Sequence, residues 1–473
     1  MTTAALSPIA AEPVGPEVLR QLGLAWPVMI ASLNWTLLHL TDIYVVGLTG
    51  THEVAVFGAS RTLTYIAIMV QIGALAGILV FASRADGAGD KRGTGDALRE
   101  GLLLALAFGL VVAIPYFLFA EPLLAGIGVT SALVPEAASV IRIMALAMPL
   151  QLIIIACANF FEGISRPKRV AAINLAILPL NALLAWAWSG GHLGFPRLGA
   201  DGAAWATLVS LAIGTLAFVG SALLMRDARE RGLADWGLSR WRSALPGAWR
   251  LAGFGLVPAI ASGLELAGFS WLIALSTQLG EIATHSFQII FSLHNLTFSA
   301  AIGFASAAGV RVGNAVGEGN VGTARRRALI SAGLAIAAMS LFLLVYFAFS
   351  QQVVEAFPAD TAVHILAVQM LLLWVPFILF DGTQVVFTYA LRSLGDQVAA
   401  GLNNIIAFFL VTGVGGWWMV RNGWGTDGLV YASGLGMLVA ALLNGGRFWW
   451  VSAETPSSPS AKPPAAEYPS APR

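Results

Sequence analysis

Residues 80–90 read VFASRADGAGD and residues 310–320 read VRVGNAVGEGN. Laid over one another, the two stretches pair Gly87 with Gly317 and Gly89 with Gly319. FEGISRPK at 161–168 falls over LRSLGDQV at 391–398 in the same register. Self-similarity at a fixed spacing means that one structural unit occurs twice.

Working outward, the chain is 58% hydrophobic and 11% charged, where soluble domains carry about 25% charged residues. Apolar runs lie near 20–48, 54–83, 97–119, 134–160, 169–189, 201–224, 248–278, 284–310, 326–349, 362–391, 396–420 and 425–450. Each meets the ~20 residues that cross ~30 Å of hydrocarbon as a helix. The runs divide six and six about the middle, so the halves share one orientation, as in parallel-repeat transporters. The expected fold is an all-α membrane protein with twelve transmembrane helices in two pseudo-symmetric six-helix lobes. Residues 18–224 form the N-lobe, 225–247 a basic connector and 248–451 the C-lobe. Residues 1–17 are expected as a cytoplasmic N-terminal tail, and the Pro, Ser and Ala-rich 452–473 as a disordered C-terminal tail.

Basic residues fall in alternate loops: Arg84, Lys91, Arg92 and Arg99; Arg166, Lys168 and Arg169; Arg226 to Arg242; Arg325, Arg326 and Arg327; Arg392. Of the remaining loops only two hold a cation, Arg197 and Arg421. Short cytoplasmic loops collect Lys and Arg, which places both termini in the cytoplasm. In the connector, Arg alternates with Trp236, Trp241 and Trp249, the pattern of an interfacial amphipathic helix. The N-terminus lacks the features of a cleaved signal. Cys157 is the sole cysteine and stands in an apolar run, which suits an inert buried thiol. A net charge of +1 gives no field for nucleic acid. No HExxH, paired CxxC, Walker loop or GxSxG is present, so nothing marks an enzyme or an ATP-driven pump.

Three acids fall inside spans: Asp42, Glu265 and Asp381. A charge at bilayer depth costs roughly 2.5–3.5 kcal/mol even on a lenient scale, so each is a functional candidate. Buried carboxyls exchange protons near neutral pH, and ionised ones hold cations. The structural alternative for each is a helix–helix hydrogen bond or ion pair. The repeat register places Gln151 where the second half has Asp381, so only the second half is charged there.

Asp42 and Arg61 stand at similar depth on neighbouring spans, which allows them to pair. Trp35, His39 and Asp42 make one helical stripe, and so do Phe377, Asp381, Gln384 and Thr388. Ser262 and Phe269 flank Glu265. Aromatic rings beside a carboxylate suit an organic cation. Gln288, in the eighth span, joins the residues expected to line the cavity. Pro27 and Pro258 open the first span of each half, where each kinks the helix or forms a hinge.

AWPVMIASL…TDIYVVG, VRVGNAVGEGN, DGTQVVFTYALRSLGD, LPLNALLAW and LGADGAAWATLVS resemble the multidrug and toxic compound extrusion (MATE) family, in its bacterial NorM-like branch. The resemblance covers about residues 18–450. It implies two lobes that alternate between outward-facing and inward-facing states in the bacterial inner membrane. It further implies export of small organic cations in exchange for H+ or Na+, with no other cofactor, by a monomer in contact with lipid. The family's coupling acids fall on Asp42, Glu265 and Asp381, and Na+, where used, would sit at Glu265 and Asp381. Asn181 matches the first of two family asparagines, while Ala185 stands at the second. Phe377 stands where some Na+-coupled relatives have Tyr. Both departures remove oxygen ligands and weaken the case for Na+. A lipid-linked precursor flippase of the same superfamily is the alternative, but it would need basic residues in the cavity, where Arg61 and Arg142 are the exceptions to an acidic set. A non-transporting receptor or scaffold is the other alternative, in which neutralising the acids would change little.

Overall fold

The computed structural model describes residues 13–453, apart from Trp236 and the side chains of Thr62 and Ile66. Most of the expected N-terminal tail, the C-terminal tail from 454 and Trp236 of the connector lie outside the described residues.

All regular structure among the described residues is helical. The first half contributes α1 (Val14–Gly47), α2 (Thr51–Gly87), α3 (Lys91–Leu118), α4 (Val134–Gly163), α5 (Pro167–Gly190) and α6 (Gly199–Leu223). The second contributes α7 (Leu245–Gln278), α8 (Glu281–Gly317), α9 (Val321–Ala348) and α10 (Thr361–Leu394). The last helical run, Gln397–Ala453, holds 57 residues. As one rod it would reach ~85 Å, nearly three bilayer cores. Asn422 (φ −89°, ψ 15°) and Gly423 (φ 86°, ψ 13°) leave helical geometry, and Gly425 (φ 55°, ψ −136°) turns the chain back. The run is therefore two helices, α11 (397–424) and α12 (Gly425–Ala453), and twelve crossings leave both termini on one face.

The repeated stretches form matching corners. Gly89 (φ 72°) and Gly319 (φ 74°) adopt the left-handed conformation that favours glycine. The next residues, Asp90 and Asn320, each accept a hydrogen bond at 2.9 Å from the amide three residues on, capping α3 and α9. At the second repeat, Ser165 (φ 60°) matches Gly395 (φ 92°).

The corners also pack on each other. A side chain on Gly87 would collide with the backbone of Asn314, and one on Gly317 with the carbonyl of Arg84. Position 84 matches 314 and 87 matches 317, so the contact is reciprocal about the pseudo-twofold axis. Hydrogen bonds between the lobes gather in the half that carries the termini. Arg311 binds Glu17 at 2.8 and 2.6 Å, and Gln21 donates to the Arg327 carbonyl at 2.9 Å. Arg84 donates to the Ser393 carbonyl at 3.1 and 2.9 Å, Asn314 to the Ser83 carbonyl at 2.9 Å, and Ser306 to Glu162 at 2.5 Å. The molecule is sealed at the terminal face.

The connector departs from the expected amphipathic helix. It runs as turns to residue 234 and then as a six-residue helix, Leu238–Ser243. Several of its charges pair with the N-lobe. Arg231 is buried and bonds Asp227 at 2.9 Å and Thr94 at 2.6 Å, while Arg166 grips Asp227 at 2.9 and 2.7 Å. Burial opposes the charge on Asp227, but hydrogen bonds from Arg166 and Arg231 outweigh it and hold this carboxyl well below its usual range. Ion pairing won over lipid contact because connector charges of both signs found partners, Asp227 in Arg166 of the N-lobe and Arg231 in Asp86 at 3.5 Å.

Candidate functional site

In α10, Pro376 has no N–H to give, and the helix tightens into a 3-10 turn at Val375–Phe377. Regular helix resumes at Ile378, which puts Asp381 in the first turn of the segment Ile378–Leu394. That end of a helix favours negative charge. Asp381 is 2% exposed. Its Oδ1 accepts from Gln384 Nε2 at 3.3 Å, and its Oδ2 lies 3.1 Å from His294 Nε2. When Asp381 is ionised its oxygens only accept, and in that state this nitrogen carries the proton.

His294 comes from α8 and sits among aromatic rings. Its centroid is 5.4 Å from Phe269 in a stacked arrangement, 5.5 Å from Trp374 edge-on, 5.7 Å from Phe298 and 6.0 Å from Phe291. Glu265 stands one helical turn before Phe269 on α7, near enough for its charge to interact with those of Asp381 and Arg392. The structure thus brings Asp381, Gln384 and, through His294, Phe269 together, with Glu265 within electrostatic reach of Asp381.

Other expected members lie elsewhere. Thr388 donates to the Gln384 carbonyl at 2.9 Å and accepts from Asn444 at 3.0 Å, inside a packing network with Asn404. Phe377 turns its ring onto Gly434 of α12, where any side chain would clash with it. Gln288 is exposed on α8.

In the N-lobe, Asp42 is also 2% exposed. Its Oδ1 accepts from Asn181 at 2.6 Å and its Oδ2 from Thr207 at 3.4 Å. The pairing with Arg61 does not form. Arg61 instead donates to the His39 carbonyl at 3.2 Å and lies over the Phe57 ring at 5.8 Å. Equal depth did not suffice, because the rotation of α1 and α2 points the guanidinium at the backbone. Trp35 and His39 keep their rings 6.5 Å apart on the same stripe.

Sequence reasoning missed Thr207 and His294. The first hid in the small-residue run LGADGAAWATLVS. The second had a visible signal, one imidazole in the apolar run FSLHNLTF. Among the described residues no group of three or more His, Cys, Asp or Glu is placed to hold a metal ion.

The chain matches the MatE family over residues 27–187 and 248–418, one segment in each lobe. It is 29% identical over 425 residues to a probable multidrug resistance protein NorM of Caulobacter vibrioides, covering 88% of each chain. It is 30% identical over 441 residues to a protein of the same name from Deinococcus radiodurans, covering 91% of this chain and 95% of that one. Its fold matches a crystal structure of MATE in the bent conformation with a TM-score of 0.82 at 20% identity, covering 93% of this chain and 96% of that one. It also matches an outward-facing multidrug resistance MATE family transporter with a TM-score of 0.81 at 20% identity, covering 92% and 96%. Two six-helix lobes sealed at one face, buried acids in both, and a match that runs through each lobe lead to one conclusion: this chain is a membrane transporter of the multidrug and toxic compound extrusion family.

Proposed function

We propose that the chain is a secondary-active exporter that exchanges organic cationic or amphipathic compounds for H+ or Na+ by alternating access. The observation that carries this reading is the Asp381 carboxylate, buried at bilayer depth and bonded, among the described residues, by Gln384 and His294 alone. A carboxylate locked to arginine would stay ionised and idle, whereas no arginine among the described residues is bonded to this one. Glu265 shares the site, and Asp42 serves a second site in the N-lobe. The names of the bacterial relatives, multidrug resistance proteins, support a drug substrate.

The basic loops lie at the terminal face, which we assign to the cytoplasm of a bacterial inner membrane. The lobes are sealed there, and we assign the described conformation to the outward-facing side of the cycle, in which drug leaves and the coupling ion loads. Ion binding at Glu265 and Asp381 would then favour opening of the terminal face. One net charge crossing ~100 mV supplies about 2.3 kcal/mol, against about 1.4 kcal/mol for tenfold concentration of a solute; a one-for-one exchange of H+ for a monovalent cation moves no net charge and draws on the pH difference instead. We take the working unit as a monomer in lipid. The flippase alternative is disfavoured, because Arg61 is bonded to a carbonyl and Arg142 to Glu121 at 2.8 Å, and neither forms a basic cluster.

The test is efflux from proteoliposomes under an imposed pH or Na+ gradient, with Asp381→Asn and Glu265→Gln beside the parent. Loss of gradient-driven efflux in both variants is the expected result. Unchanged efflux in both removes the mechanism.

A further inference from the structure

Resting on the exchange reading above, we propose that His294 sets the ion selectivity of the C-lobe site by keeping Na+ off Asp381. Hard cations are held by shells of about six or more oxygens. Asp381 meets the reverse, since the hydrogen-bond partners of its two oxygens among the described residues are nitrogens, Gln384 Nε2 at 3.3 Å and His294 Nε2 at 3.1 Å. A donor N–H aimed at a carboxylate puts partial positive charge where a sodium ion would have to sit. A proton has no such requirement.

The imidazole is also hard to displace. It is 8% exposed and wedged among Phe269, Phe291, Phe298 and Trp374. None of these rings offers an oxygen. The Thr388 hydroxyl is bonded to Gln384 and Asn444, and Phe377 faces α12. Of the side chains at the site, those left to a cation beyond Asp381 itself are Gln384 Oε1, which has no partner among the described residues, and the Glu265 carboxylate. That set falls short of a hard-cation shell.

The repeat shows that packing alone does not call for an imidazole. The register that lays Asp381 over Gln151 lays His294 over Thr64, whose hydroxyl is satisfied within its own helix by the Ser60 and Arg61 carbonyls at 3.3 and 3.2 Å. The fold therefore accepts threonine at this position in its other half. His294 Nδ1 has no partner among the described residues, so replacing the ring strands no second group there.

The test compares the parent, Asp381→Asn, His294→Thr, and His294→Thr with Asp381→Asn in proteoliposomes, with ethidium as the transported cation. One arm imposes a pH gradient without Na+, and the other a Na+ gradient at equal pH on both sides. The parent is expected to respond to the pH gradient alone. His294→Thr is expected to gain Na+-driven transport of about tenfold over the parent, and the added Asp381→Asn to abolish that gain. Na+-driven transport by the parent that disappears in Asp381→Asn overturns the role of His294 and leaves the exchange reading standing; this arm needs no altered histidine. A His294→Thr protein that is monodisperse and melts like the parent, yet gains no response to Na+, overturns it as well. Transport that survives Asp381→Asn with either ion instead overturns the exchange reading.

Discussion

Arg311 and Glu17 meet fork to fork across the lobe boundary, through Nε at 2.8 Å and Nη2 at 2.6 Å, with both side chains buried. Gln21 adds a third bond to the same carboxylate at 2.9 Å. Removing one partner of a buried pair costs about 3–5 kcal/mol, because the other charge is left uncompensated. Glu17→Gln is therefore expected to unseal the terminal face. Cys157 is buried, so a cysteine placed at Ser83, on the seam, reports opening with little background. Thiol labelling of Ser83→Cys should rise at least roughly tenfold when Glu17→Gln is added, since each 1.4 kcal/mol is a factor of ten. Equal labelling would mean that this pair does not hold the seam.

The two glycines of the repeat predict opposite outcomes. Gly87→Val drives a side chain into the Asn314 backbone, which has nowhere to go. The seam should fail to close, with high labelling at Ser83→Cys and loss of transport. Gly89→Ala meets nothing within 4 Å and suffers only from its φ of 72°, a penalty of roughly 1–2 kcal/mol. It should lower the melting temperature and leave labelling unchanged.

In the N-lobe, partner identity is testable by melting. Asn181→Leu takes the 2.6 Å bond from buried Asp42, and losing a partner of a buried polar group costs about 1–3 kcal/mol. Arg61→Gln leaves the Asp42 bonds in place. The asparagine variant should melt well below the arginine variant in the same detergent. The reverse order would restore an Asp42–Arg61 pair.

The connector makes a pH prediction. Asp227 is held below its usual carboxyl range by Arg166 and Arg231 after burial is overcome. A lowered folded value means that its stabilisation is complete above the unfolded value near pH 4 and is lost as pH falls through the lower folded value. The gap in melting temperature between parent and Asp227→Asn should stay flat from about pH 5 to 8 and shrink only below about pH 4. A gap that closes between pH 8 and 5 would contradict the arginine clamp.

The sequence by itself determined the twelve crossings, the two lobes, the corners at 80–90 and 310–320, and the acids that stand in hydrocarbon. These are local quantities: apolar length, charge placement, and glycine where the backbone must turn left-handed. Even the last hairpin was legible, because Asn422, Gly423 and Gly425 interrupt an apolar run too long to cross once. Tertiary structure alone decided which polar group meets which. Asp42 and Arg61 share a depth, yet α1 and α2 are rotated so that Asn181 and Thr207 reach the carboxylate first. His294 lies 87 residues from Asp381, and no spacing rule ties α8 to α10. Thr388 and Phe377 share a face with Asp381 in the helical pattern, but neighbouring helices claim them for packing. Hydrophobicity fixes which residues leave water, whereas the rotation and crossing of packed helices fix the partners they find there.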